Sequence, residues 1–255
     1  MKSDSSDICA ELECWFARPG GEHLLEHERQ LVNQKLKKVF GYHLLQLGIT
    51  RNTPMAAPNT LNHTIYACHQ SGDDIGLLTD QHALPFPGDS IDAIVLHHAL
   101  EFAENPHQLL REVHRVLSPQ GHLVVVGVNP YSGFGLSTAM RGLHPNSLWN
   151  HLHGLSIHRL RDWLHLLGSE VLSCSHTYAF TPFGSGRLLS ASKRIDSFLH
   201  RHQSPLGGVY VLHAQKKVIP YTPIRKPWQS RLSTGLFGLG VNNPVPSPRN
   251  TDHAA

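Results

Sequence analysis

The amino-acid sequence predicts a doubly wound α/β domain with a mostly parallel sheet of about six or seven strands. The segments IDAIVLH (91–97) and HLVVVGV (122–128) are apolar, β-branched runs typical of strands buried on both faces of a parallel sheet. The segment between them has apolar residues at helical spacing. Together they form a strand-helix-strand unit, which almost always closes right-handed onto a parallel sheet.

The elements before this unit are a helix and three short strands. Apolar residues recur at helical spacing within 22–40, and Gly41 is expected to end that helix. HLLQLG (43–48) then predicts a buried strand. The next segment, RNTPMAAPNTLNHT, contains two prolines, which argue against a helix directly after the strand. Two short strands are predicted in TIYACHQ and IGLLTD, on either side of the turn-like SGDD.

The later elements are marked by caps and breakers. Asn105 is a natural N-cap and Pro106 suits the first helical position, while Ser118-Pro119-Gln120-Gly121 ends the helix. Ser156 is expected to cap a second helix, which Gly168 follows. EVLSC and GGVYVLHA predict the last strands. Residues 220–255 contain six prolines and no sustained periodicity. We therefore expect an N-terminal helical segment (1–40), an α/β domain (41–219) and a flexible tail (220–255).

Composition excludes several classes of function. The formal charge of the 255-residue chain is +3, and the tail carries four cationic side chains against one acid, so the rest is neutral. A neutral body lacks the basic surface of most nucleic-acid binders. Neither a signal peptide nor an apolar run of about 18 residues is visible. The four cysteines lack paired spacing. We expect a cytoplasmic protein without nucleic-acid or membrane partners, and the sequence leaves its oligomeric state open.

The run from Thr79 to Pro130 resembles a known family. It contains an acid, then Leu-Pro-Phe, an Asp that opens a buried strand, a Leu-Arg-Glu-x-x-Arg-Val-Leu helix and Pro-x-Gly before another strand. This pattern is similar to the core of class I S-adenosylmethionine-dependent methyltransferases of the type 11 group. With RLRDWLHLLGSEVL (159–172) the similarity covers roughly half of the chain. The N-terminal residues resemble a bacterial subgroup of these proteins.

The resemblance implies a Rossmann-like methyltransferase fold, S-adenosylmethionine as cofactor and a set of site residues. Asp80 matches the acid that accepts a hydrogen bond from the adenine amino group, and Gln81 lies beside it. His97 and His98 match the end of the fourth strand, where cofactor and substrate meet. An imidazole titrates near neutrality, so both histidines are candidate general bases. Gly48 matches the first glycine of the family's cofactor loop.

The sequence departs from the family pattern around this loop. The pattern has an acid, one apolar residue and three glycines at alternate positions, whereas this chain has Gln46, Leu47, Gly48, Thr50 and Asn52. Those glycines let the backbone approach the cofactor closely. Only 32 positions separate Gly48 from Asp80, although one βαβ unit takes about 30 or more residues. The acid expected to accept the ribose hydroxyls is not evident in YACHQ, and Asp73 and Asp74 are alternatives.

The 21 histidines do not form a recognised metal motif. The pairs are His151 with His153, His200 with His202, and His107 with His114, and no third ligand of recognised spacing joins any pair. We expect no metal site. The predicted function is S-adenosylmethionine-dependent methyl transfer to an unidentified, small acceptor. The alternative is a catalytically inactive, methyltransferase-like module that binds a partner.

Overall fold

A seven-stranded β-sheet lies at the centre of the computed structural model, which describes residues 5–48, 53–57, 61–68, 77–78, 83–143, 147–177 and 207–217. Its helices are α1 (Ser5–Phe16), α2 (Pro19–Leu36), α3 (Pro106–Val116), α4 (Gly133–Gly142) and α5 (Ile157–Leu166), and a short 3-10 helix covers Leu148–His151. Its strands are β1 (His43–Gly48), β2 (His63–Cys68), β3 (Leu77–Leu78), β4 (Ile91–His97), β5 (Leu117–Val128), β6 (Ser169–Thr177) and β7 (Val209–Lys216).

The strand order is β3-β2-β1-β4-β5-β7-β6. The first five strands in this order pair in parallel, while β7 pairs antiparallel with both β5 and β6. The chain moves outward from β1 to β3, returns to β4 beside β1 and continues the other way. This reversal confirms the predicted doubly wound, mostly parallel sheet.

The predicted strand-helix-strand unit is confirmed. The side chain of Asn105 accepts a hydrogen bond from the Gln108 amide at 3.2 Å, and Pro106 begins α3. The four apolar residues of α3 that face the sheet are fully buried: Leu109, Leu110, Val113 and Val116. Burial of each such side chain stabilises the fold by about 1.5–3 kcal/mol.

The N-terminal segment differs from the prediction of a single helix. It forms two helices, because Pro19 cannot continue α1 but suits the first turn of α2. Buried residues of both helices, among them Leu12 and Leu24, belong to the same apolar cluster as Val95 and Val124 of the sheet. The two helices therefore cover one face of the sheet.

Gly41 does not end the preceding helix, since α2 already ends at Leu36. A Cβ atom at Gly41 would lie 2.4 Å from the Cβ of Asp92. The Asp92 carboxylate accepts hydrogen bonds from the amides of Tyr42 (2.7 Å) and His43 (3.0 Å). Glycine is needed here for close approach to Asp92.

Two other features differ from the sequence prediction. Strand β5 begins at Leu117, directly after α3, and the predicted breaker 118–121 forms an irregularity where the pairing shifts between Ile91 and Ala93. Helix α4, capped by Ser132, was not expected. The predicted tail (220–255) lies outside the described residues. None of the described helices is both long enough and apolar enough to cross a membrane.

Candidate functional site

The carboxyl ends of β1 and β4 meet at the point where the winding direction of the sheet reverses. Gly48, the last residue of β1, is the register partner of His97, the last residue of β4. In open α/β sheets the crevice outside this point is the usual ligand site. A glycine at the end of β1 also lets a ligand approach the backbone closely.

Gln46 fixes the chain that follows β1. Its buried side-chain amide nitrogen donates to the carbonyl oxygen of Thr53, and its oxygen accepts from the Met55 amide, each at 2.8 Å. Residues 53–57 are not helical, as Pro54 and Pro58 predict. One side chain of β1 thus fixes the backbone at Thr53 and Met55.

Helix α2 also forms hydrogen bonds with residues 53–57. The side chain of Asn33 donates to the Met55 carbonyl (3.1 Å) and accepts from the Ala57 amide (2.7 Å). The Arg29 guanidinium donates to the Pro54 carbonyl at 2.9 Å. Segment 53–57 is therefore fixed by side chains on two elements.

Glu28, which directly precedes Arg29 on α2, contacts the end of β4. Its two carboxylate oxygens lie 3.0 Å from Nε2 of His97 and 3.2 Å from Nε2 of His98. The other ring nitrogen of His98, Nδ1, lies 2.8 Å from the carboxylate of Glu101. All four side chains are buried. These residues are called the Glu-His cluster below.

The loop after β4 is ordered by several further contacts. The second carboxylate oxygen of Glu101 accepts from the Val128 amide, and the backbone carbonyl of Glu101 accepts from the His153 amide at 2.8 Å. His98 has a left-handed backbone conformation (φ 52°), which is uncommon for a residue with a side chain. The cluster is therefore fixed from α2, from the end of β4 and from the end of β5.

Burial and charge act in opposite directions on the two histidines. Burial alone would lower the pKa of His98, but the carboxylates of Glu28 and Glu101 outweigh it and raise the pKa to about 10. Burial lowers the pKa of His97, although its hydrogen bond with Glu28 opposes that shift. Burial raises the pKa of Glu28, yet the two histidines hold it well below the usual range. In the protein without a bound cation, His98 is thus the charged histidine at neutral pH, and this state cannot accept a proton.

A narrow apolar cavity of about 10 Å³ lies beside His98, room for about one water molecule. Its lining includes Trp15 and Phe16 of α1 together with Phe134 and Trp149. The two tryptophan rings contact edge to face, with centroids 5.5 Å apart. The aromatic residues of α1 therefore close one side of the region around the Glu-His cluster.

Three of the site residues expected from the sequence, Gly48, His97 and His98, fall in the described part of the chain, and they lie together. Gly48 and His97 are adjacent across two strands, and His98 follows. Asp80 and Gln81 lie outside the described residues, as do the alternatives Asp73 and Asp74. Of the histidine pairs considered and not expected to bind metal, His200 with His202 also lies outside the described residues, and His107 packs against Trp163 with centroids 3.7 Å apart.

Sequence reasoning missed Glu28, Glu101 and the role of Gln46. A signal for Glu28 was present, because it lies four residues after Leu24 and four before Val32 on the apolar face of α2. An acid at such a position is buried only when it is paired. The partners of Glu28, which lie 69 and 70 residues later, could not be assigned from spacing.

Comparisons with known proteins agree with this architecture. Residues 56–125 match the family model described as a methyltransferase domain. The protein YafS of Escherichia coli (strain K12), described as uncharacterized, is 32% identical over 212 residues, covering 82% of this chain and 83% of its own length.

Solved structures share the fold at lower identity. An S-adenosylmethionine-dependent methyltransferase of Thermotoga maritima, described as a possible histamine N-methyltransferase, has a TM-score of 0.57 and 18% identity, covering 82% of this chain and 95% of that one. The cyclase SpnF has a TM-score of 0.50 and 18% identity, covering 75% and 80%. Another such methyltransferase, from Mesorhizobium loti, has a TM-score of 0.50 and 16% identity, covering 75% and 100%.

Proposed function

Because the chain belongs to the class I S-adenosylmethionine-dependent methyltransferases, in one group with YafS, we propose that it transfers the cofactor's methyl group to a small acceptor. A cyclase shares the fold, so the fold alone does not select methyl transfer. The observation that carries the proposal is the match of residues 56–125 to a methyltransferase domain, since this range contains β4, α3 and the cluster histidines. None of the four cysteines, all of which lie within the described residues, forms a disulfide, and this supports the cytoplasmic location that the proposal includes.

The residues present fit S-adenosylmethionine at the reversal point of the sheet. Gly48 offers a backbone without a side chain, and the end of β4 at His97 lies directly beside it. We assign Asp80 to the adenine amino group and Gln81 to the adjacent contact, on the family resemblance. When bound, this cofactor supplies a methyl group on a positively charged sulfur.

The acceptor is an atom that is already nucleophilic, such as a neutral amine or a thiolate. Both ring nitrogens of His98 lie against carboxylates, and His97 is buried with Nε2 on Glu28. Neither is free to take a proton from a substrate. Methyl transfer to a good nucleophile needs little beyond alignment of donor and acceptor. A small acceptor is also consistent with the neutral charge of residues 1–219.

Affinity for the cofactor is expected to be modest. Thr50 and Asn52 occupy positions at which the family has glycines, and side chains there restrict the backbone and keep it farther from a ligand. We expect a dissociation constant in the micromolar range or weaker, a binding free energy of about −8 kcal/mol or less in magnitude.

Calorimetric titration with S-adenosylmethionine and S-adenosylhomocysteine tests the proposal. Asp80→Ala should weaken binding by about 1–3 kcal/mol, the range for a hydrogen bond to a charged group, without unfolding the protein. Asp162→Ala, at an exposed position on α5, is the matched control and should leave affinity unchanged. The absence of binding of either ligand to the wild-type protein would favour the catalytically inactive, partner-binding alternative. Equal affinity in Asp80→Ala would remove Asp80 from the site.

A further inference from the structure

We propose that Glu28, His97 and His98 form a binding site for one divalent transition-metal ion of the zinc class. Among the described residues, these three offer donor atoms that all lie within 4.8 Å of one another. Zinc binds imidazole nitrogen and carboxylate oxygen at about 2.0–2.2 Å, so two ligands in a tetrahedral site are about 3.4 Å apart. The Glu28 oxygens lie 3.0 and 3.2 Å from the two Nε2 atoms, close to that spacing.

The contact between Glu101 and His98 is the one that metal-binding histidines usually make. Metal binding would displace the proton that His98 carries on Nε2, since a ligating imidazole is neutral. His98 would keep its proton on Nδ1, donate it to Glu101 and direct the lone pair of Nε2 toward Glu28. The Val128 amide fixes Glu101 in turn. Two acceptors then face each other across 3.2 Å, and a cation between them satisfies both. Glu101 thus acts as a positioning residue for the ligand His98.

Charge also favours a dication at this place. Glu28 and Glu101 bring two carboxylates into the interior, with side chains exposed by 0% and 1%. Buried charges are costly unless they are paired or bind metal. A divalent ion held by two neutral imidazoles balances both carboxylates. Two imidazoles with one carboxylate suit zinc, cobalt or ferrous iron better than magnesium or calcium, which prefer oxygen ligands.

The ligands come from separate parts of the chain, which gives the ion a structural role. Glu28 lies on α2, whereas His97 and His98 lie at the end of β4. An ion bound by all three therefore fastens the N-terminal helices to the sheet edge. Metal binding free energy adds directly to folding stability in such a site.

Metal content and metal-dependent stability of the full chain test this proposal. Untagged protein purified without chelators should contain about one metal ion per chain by mass spectrometry. After removal of the metal, added Zn²⁺ should raise Tm by about 10 °C at a free concentration about 1,000-fold above Kd. Added Co²⁺ should give visible absorption bands of a four- or five-coordinate ion, a readout that needs no variant.

Glu28→Gln and His98→Asn should each lower the retained metal at least about tenfold. The matched control is His213→Asn, because His213 and His122 form a histidine pair with nitrogens 3.0 Å apart and lie outside the Glu-His cluster. This control should keep the full metal content. The proposal is overturned if the wild type shows neither a thermal shift with any of Zn²⁺, Co²⁺, Ni²⁺ and Fe²⁺ nor a Co²⁺ spectrum, or if the control loses metal equally. None of these readouts depends on methyl transfer, so failure here leaves the proposed function standing.

Discussion

Replacing Gln46 with glutamate restores the acid of the family pattern, yet it should destabilise this protein. The wild-type amide donates to Thr53 and accepts from Met55, each at 2.8 Å and in the interior. A carboxylate still accepts from the Met55 amide, but it faces the Thr53 carbonyl without a proton to share. One buried hydrogen bond is lost and two acceptors are placed in contact, so we expect Gln46→Glu to lower the free energy of unfolding by about 2–4 kcal/mol at pH 7.

The loss should depend on pH in a direction that identifies its cause. The introduced carboxyl can donate to the Thr53 carbonyl when it is protonated, so folding raises its pKa above the unfolded value of about 4.3. A group whose pKa is raised by folding contributes stability that is present below the unfolded pKa and lost as pH rises through the folded pKa. The difference from wild type should thus be smallest near pH 4 and largest above pH 7.

Urea unfolding of both proteins from pH 4 to pH 8 measures this difference. The control is Gln30→Glu on the exposed face of α2, which should change stability by less than about 0.5 kcal/mol at every pH. If Gln46→Glu is equally destabilised at pH 4 and pH 8, the hydrogen-bond reasoning is wrong. If it is as stable as wild type at pH 7, Gln46 does not fix residues 53–55.

Three further predictions follow from other contacts. Lys216→Met removes an ammonium that donates to the carbonyls of His114 (2.9 Å) and Leu117 (2.7 Å) at the end of α3. The free energy of unfolding, measured with urea, should fall by about 2–3 kcal/mol, and a fall below about 0.5 kcal/mol would contradict this. Asp92→Ala should cost about 1–3 kcal/mol at pH 7. Burial raises the pKa of Asp92, but hydrogen bonds from the amides of His43 and Tyr42 outweigh it and lower the pKa. The contribution of Asp92 to stability is therefore lost as pH falls, and the variant should approach wild type near pH 3. Urea unfolding at pH 7 and pH 3 measures this change. Deletion of residues 220–255 should hardly change Tm, because that stretch is proline-rich and lacks periodic apolar residues; a fall of many degrees in a thermal scan would show that it packs on the domain.

The middle of the fold was predictable because every local signal there agrees. The apolar run of β4, the Asn105-Pro106 start of α3 and the apolar face of that helix all indicate one arrangement. The N-terminal helices were harder to separate. Apolar spacing indicated α2 but not a separate α1, and the strong local marker of the boundary between them is Pro19.

The site was only partly predictable, since family pattern and strand ends locate residues but not their partners. Gly48 and His97 were expected at one edge of the sheet, and their pairing agrees. That both cluster histidines face Glu28 depends on how α2 crosses the sheet, which is tertiary packing that no local spacing encodes. The assignments of Asp80 and Gln81 stay predictions.

The backbone groups of residues 53–57, which follow the loop without the family's glycines, are hydrogen-bonded by side chains of β1 and α2. A helix after β1 would bond its own amides and carbonyls internally, whereas the non-helical segment 53–57 bonds several of these groups to side chains of β1 and α2. Gln46 takes the Thr53 carbonyl and the Met55 amide. Arg29 and Asn33 of α2 take three others: the Pro54 and Met55 carbonyls and the Ala57 amide. Because the same helix carries Glu28 to the end of β4, α2 fixes both segment 53–57 and the Glu-His cluster.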